Sequence, residues 1–224
     1  MIEKENASLK SYLFERRFLF LLILILVVLV GAPFMEDYGN FHMVFDIIIT
    51  AIFVAAIYAI SHKRLHLILA LILAVPMIGS LWTHYLVQHP AIFAVGKFSA
   101  ILFFGFATLN ILQFIFKQKE VTKEVIFAAV VVYLLMAFMW SYGYALLELY
   151  EPGSFSVPEG QLKDDRFLWI YYSFVTITTL GYGDMTPLTD RASGMAVFEA
   201  ITGQIYLVVL VAWLVGMHVS RQSK

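Results

Sequence analysis

The stretch TITTLGYGDMTP, Thr176 to Pro187, is where the reading of this chain turns. Gly181 and Gly183 flank Tyr182, and Asp184 follows at once. Glycine takes backbone angles that other residues resist. The segment therefore interrupts helix where a short apolar run, Phe167 to Thr178, gives out. Crossing a bilayer takes roughly 20 mostly apolar residues, so that run is too short to span. It suits a re-entrant helix that enters the membrane and turns back.

Longer segments lie on either side. Five meet or approach the length of a span, at about 18–35, 43–61, 65–86, 92–116 and 125–147, and a sixth runs from about 193 to 218. The 224 residues are 61% hydrophobic and 14% charged, against about 25% charged in soluble domains. Composition alone makes this an integral membrane protein. The predicted fold class is an all-α membrane protein, with six transmembrane helices plus a re-entrant helix and its loop. The first apolar run follows Arg16 and Arg17 but has no small-x-small cleavage site, so it reads as a retained helix and not a signal peptide. A net charge of −1 points to no nucleic acid or other polyelectrolyte partner. With no cysteine, disulfides and thiolate metal sites are excluded.

Orientation follows from the basic residues. Lys4, Lys10, Arg16 and Arg17 precede the first span, Lys63 and Arg64 separate the second and third, and Lys117, Lys119 and Lys123 separate the fourth and fifth. Arg221 and Lys224 follow the sixth. The alternate loops carry few, namely Lys163, Arg166 and Arg191. With six spans the basic loops share one side, so both termini are expected in the cytoplasm and the GYG turn outside. The predicted divisions are a cytoplasmic N-terminus at 1–17, a four-helix peripheral domain at 18–116, a cytoplasmic linker at 117–124, a helix–loop–helix domain at 125–218 and a short tail at 219–224.

Carbonyls lining an axis can replace an ion's water shell. TTLGYGD, Thr178 to Asp184, resembles the potassium-channel signature usually written TTVGYGD, with Leu180 in place of the common valine. The resemblance is to prokaryotic six-transmembrane potassium channels, whose pore fold is a pore helix, a filter loop and an inner helix. It implies that Thr179, Leu180, Gly181, Tyr182 and Gly183 supply the filter carbonyls, with K+ held at Thr179, Leu180, Gly181 and Tyr182. Thr178, an aromatic cuff of Trp169, Tyr171 and Tyr172, and Asp184 would support the filter, with Asp184 bonded to Tyr172. Gly203 lies twenty positions after Gly183 and matches the family's hinge glycine; close packing of a small residue is the competing reading. Glu199 is a carboxylate inside a span, a costly placement. It is expected to face the pore helix near Thr176 or Thr178 and brace the filter.

One loop cannot enclose a pore, so the resemblance also implies a homotetramer in a membrane, expected to be a prokaryotic plasma membrane from the small size and minimal tail. The implied function is passive potassium conduction, with K+ as the permeating ion and no cofactor. No nucleophile–base constellation or phosphate loop is present, so no enzyme is expected. Span four carries Lys97 as its only charge, where voltage-gated relatives repeat arginine every third residue, so voltage gating is not expected. Asn110 and Gln113 sit one turn apart in that span as candidates for an interhelical hydrogen bond. Asp46 is one helical turn from His42 and suited to pair with it. The histidines His42, His84 and His89 lack metal-ligand spacing. Two alternative readings are a weakly selective cation channel and a potassium transporter subunit; a single GYG loop per chain argues against the latter.

Overall fold

The computed structural model describes residues 16–35, 41–61, 63–83, 85–87, 89–158 and 166–222. The N-terminus before Arg16, the segments 36–40 and 159–165, the last two residues, and the side chains of His42 and His84 lie outside the described residues. Among the described residues seven helices follow in order: α1 (Arg17–Met35), α2 (Phe41–Ile60), α3 (Arg64–Thr83), α4 (Pro90–Lys117), α5 (Lys123–Tyr150), α6 (Arg166–Ile177) and α7 (Asp190–Gln222). Two short strands, β1 (Phe155–Ser156) and β2 (Thr186–Pro187), flank α6 and pair antiparallel. Among the described residues, α2, α3, α4, α5 and α7 are long and apolar enough to cross a membrane, and α1 adds a shorter apolar stretch, Arg17–Gly31. This is a multi-pass helical membrane protein.

Helix ends follow local chemistry. The third span was expected to reach residue 86, but α3 stops at Thr83, whose carbonyl accepts from Leu86 N at 2.9 Å and Val87 N at 2.8 Å. That turn delivers Pro90 to the first position of α4, where proline's missing N–H costs nothing. The Thr122 hydroxyl caps α5 by accepting from Val125 N at 3.4 Å. Thr189 Oγ1 likewise accepts from Ala192 N at 3.3 Å at the start of α7. Helix α7 then runs on to Gln222, through most of the segment expected as a tail.

The first four helices form one packed unit. α1 lies on α2, α2 on α3 and α4, and α3 on α4. Phe53 of α2 meets Phe103 and Phe104 of α4 with ring centroids 4.7 and 5.0 Å apart. Phe104 also stacks on Phe138 of α5 at 5.5 Å, which joins this unit to the second. There, α5 supports the short α6, and α7 packs on both. The two long helices of this second unit differ sharply in burial. Half of the apolar window of α5 is buried, but only 11% of that of α7. Most of α7 is therefore left uncovered by the other described residues.

The fourth span departs from expectation in one detail. Asn110 Nδ2 donates to Phe106 O of its own helix at 2.7 Å, and Gln113 is exposed, so the pair forms no interhelical bond among the described residues. Asp46, expected beside His42, accepts from Tyr85 Oη at 2.8 Å.

Candidate filter loop and its supports

The loop after α6 has an unusual backbone. φ is positive at Thr179 (58°), Gly181 (54°) and Gly183 (79°), and no other non-glycine residue among those described shares this sign. The sign therefore alternates from Thr179 to Gly183. Successive N–H groups of such a backbone converge on one side, and the carbonyls stand on the other. The hydrogen bonds agree. Thr179 N donates to Thr176 O at 2.9 Å, and Leu180 N and Gly181 N both donate to Val175 O, at 3.0 and 3.3 Å. The N–H groups thus face the end of α6. Among the described residues, no N–H or hydroxyl donates to the carbonyls of Thr179–Gly183. Thr179 is the informative member, because a left-handed backbone costs a residue with a Cβ about 1–2 kcal/mol. Such a residue marks a conformation held for use.

Two helices, α5 and α7, hold α6 in place. From α5, Tyr133 Oη donates to Ile177 O at 3.0 Å, at the last residue of α6. Ser173 of α6 lies 2.7 Å from Ala137 O of α5 and 2.5 Å from Glu199 Oε1 of α7. Tyr144 of α5 donates to the other carboxylate oxygen of Glu199 at 2.5 Å. Glu199 is wholly buried. It does face α6, as expected, but its partner there is Ser173 and not Thr176 or Thr178. Those two threonines bond backwards along α6: Thr176 Oγ1 to Tyr172 O at 2.8 Å, and Thr178 Oγ1 to Phe174 O at 2.6 Å.

Gly203 is a point of contact. A Cβ built there lies 2.6 Å from Ile177 Cγ1 and 2.9 Å from Ile177 O, too close for any real side chain. The glycine lets α7 touch the end of α6, and α7 continues as helix straight through it. Close packing against Ile177 is thus one role of this residue.

The expected bond between Tyr172 and Asp184 is replaced. Tyr171 Oη donates to Asp184 Oδ2 at 2.5 Å, and Asp184 Oδ1 also accepts from Met185 N at 3.0 Å. Neighbouring helical residues point about 100° apart. With Tyr171 facing the loop, Tyr172 is turned into a buried cluster against Tyr144 (4.8 Å) and Phe155 (5.3 Å). Trp169 joins the same cluster through Phe155 at 5.3 Å. Both residues support the loop as packing, from behind.

Sequence reasoning missed Tyr133, Tyr144 and Ser173 as supports, and also Glu148. Its carboxylate is buried and accepts from Gly153 N at 2.8 Å and Phe155 N at 3.3 Å. This fixes β1, which pairs with β2 just beyond the loop, and Leu188 N closes the pairing onto Ser154 O at 2.8 Å. Among the described residues no cluster of three His, Asp or Glu side chains could hold a metal ion.

Residues 120–219 match a protein family described as "Ion channel". The match runs from the linker before α5 nearly to the end of α7, and so takes in the loop and all of its supports. It supports an ion channel. Comparison with curated proteins and with solved structures gives no significant match.

Proposed function

We propose that the chain is one subunit of a potassium-selective channel, in which four copies bring their loops together around a common axis. The observation that carries this reading is the alternation of φ from Thr179 to Gly183, in a loop whose N–H groups are turned to α6. Carbonyls of Thr179, Leu180, Gly181, Tyr182 and Gly183 then replace the hydration shell of K+. The uncovered α7 supports the assembly, because it offers each neighbour an apolar helix. Closed rings are the usual outcome of such repeated contacts.

In this reading α1–α4 surround the pore, and α1 completes six spans with both termini cytoplasmic in a plasma membrane. Conduction is passive and follows the potassium gradient. The peripheral unit carries no arginine ladder: Lys97 is the single charge of span four, and its ammonium lies 5.6 Å from the Phe93 ring centre. Opening is therefore not driven by an arginine-bearing helix moving through the membrane field.

The test is a bi-ionic reversal potential across bilayers containing purified protein, with potassium on one side and sodium on the other. A potential close to the potassium limit is expected. Equal permeability to the two ions makes the protein a weakly selective cation channel and overturns the selectivity. Absence of any cation current overturns the channel.

A further inference from the structure

The buried group formed by Tyr144, Ser173 and Glu199 contains more contacts than an ionised carboxylate can fill. Three contacts are made: Tyr144 Oη to Glu199 Oε2 at 2.5 Å, Ser173 Oγ to Glu199 Oε1 at 2.5 Å, and Ser173 Oγ to Ala137 O at 2.7 Å. Each needs one hydrogen between its two oxygens. Tyr144 brings one and Ser173 brings one. The Ala137 carbonyl brings none, and neither does a carboxylate. With Glu199 ionised, the one hydrogen of Ser173 would have to be shared between Ala137 O and Glu199 Oε1, inside a site that water does not reach. A proton on Glu199 removes the shortage. Ser173 then donates to Ala137 O, Glu199 donates to Ser173 Oγ, and Tyr144 donates to the carboxyl's other oxygen.

We propose that Glu199 is held as a neutral carboxylic acid, and that its proton is the positioning link which fastens α7 to α6 and α5 behind the loop. The surroundings agree. Glu199 is fully enclosed within a single chain. The titratable groups facing it are Tyr144 and Tyr133 on α5 and Tyr172 on α6. β2 brings none, and no basic side chain among the described residues is paired with it. Losing the proton leaves a buried, unpaired charge whose donor hydrogens are too few. Ser173 must then leave either Ala137 or Glu199, and α6 loses one of its fastenings. Since α6 also receives the N–H groups of Thr179, Leu180 and Gly181, a loosened α6 disturbs the loop.

This inference rests on the channel reading only for its consequence, and the experiment separates the two. Infrared spectra of purified wild type minus Glu199→Gln, recorded at neutral pH, report the acid directly. The expected result is a carboxylic-acid carbonyl band present in wild type and absent from the variant. Absence of that difference band overturns the neutral acid, whatever the current does. In parallel, potassium flux into liposomes is followed from about pH 6 to about pH 10, a window that begins above the ordinary glutamic-acid range. Wild-type flux is expected to fall several-fold over the interval in which the band disappears. Glu199→Gln reproduces the acid's pattern, since its carbonyl accepts from Tyr144 and its amide donates to Ser173, so it should conduct with no such fall. A variant that falls like wild type, a wild-type flux that stays level while the band is lost, or a flux that falls while the band persists overturns the coupling.

Discussion

In the peripheral unit, Trp82 Nε1 donates to Thr50 at 3.2 Å and Tyr85 to Asp46 at 2.8 Å, and both bonds tie α2 to the end of α3. In the second unit the bonds from Tyr133, Ser173 and Tyr171 converge on one helix of 12 residues or on the loop that follows it, and Tyr144 holds the same Glu199 that meets Ser173. Elsewhere in the second unit Tyr206 Oη donates to Ala129 O at 2.6 Å and Arg191 pairs with Glu151 at 3.1 Å, and most other contacts between helices in both units are apolar. Between helices in lipid there is little hydrophobic drive, so packing sets which helices meet. A hydrogen bond adds direction. The chain concentrates directional bonds where a backbone must be held in a costly shape, and uses few where helices only need to stay together. The peripheral unit is a collar that tolerates adjustment, and α6 is a fixture that does not.

Two glycines test that contrast most severely. A Cβ on Gly96 would lie 1.8 Å from Ser80 Oγ and 2.4 Å from its Cβ, between α3 and α4, whereas one on Gly203 meets Ile177. Each substitution to alanine forces overpacking of about 1–3 kcal/mol. Gly203→Ala should displace the end of α6 and reduce the potassium-to-sodium permeability ratio about tenfold, which corresponds to about 1.4 kcal/mol. Gly96→Ala should lower thermal stability by a similar amount and leave the ratio unchanged. Equal effects on the ratio, read from reversal potentials, break the distinction between collar and fixture.

A gentler pair removes one hydrogen bond from each unit. Tyr133→Phe leaves Ile177 O without its donor, and Trp82→Phe leaves Thr50 without its own. Each loss is worth about 1 kcal/mol, so melting temperatures should fall alike. Only Tyr133→Phe is expected to change the permeability ratio, by a few-fold. A ratio that responds to Trp82→Phe places the peripheral unit in the filter's support and redraws the boundary between them.

Much of this architecture was legible beforehand, for physical reasons. Spans are read from length and apolarity, and the chain has few polar interruptions to confuse them. The break at GYG is visible because two glycines one residue apart have no place in a helix. Other features needed the fold. Tyr133, Ala137 and Tyr144 lie on one face of α5, which spacing could have revealed, but nothing in the sequence says that Ser173 and Glu199 arrive opposite. The close contact at Gly203 is not legible until Ile177 is seen against it. Glu148 looks like any acid in a polar outer loop until the two backbone N–H groups that occupy it are placed.

The smallest expected effect concerns two adjacent tyrosines that the sequence could not tell apart. The run from Trp169 to Phe174 is aromatic or apolar on nearly every face of α6, so its pattern gives no rotation, and a shift of one residue is enough to exchange their roles. Tyr171 acts through its hydroxyl on Asp184, and Tyr172 through its ring against Tyr144 and Phe155. Phenylalanine keeps a ring and removes a hydroxyl. Tyr171→Phe should therefore weaken the hold on Asp184, while Tyr172→Phe should leave the cluster packed. The bond of Tyr171 lies near the surface, and Asp184 keeps Met185 N, so its loss should amount to about 1 kcal/mol or less. Expressed in function, Tyr171→Phe should shift the permeability ratio or the persistence of current modestly, and more than Tyr172→Phe does. The opposite order would return Asp184 to Tyr172 and turn α6 by about 100° about its axis, and with it every support assigned to that helix.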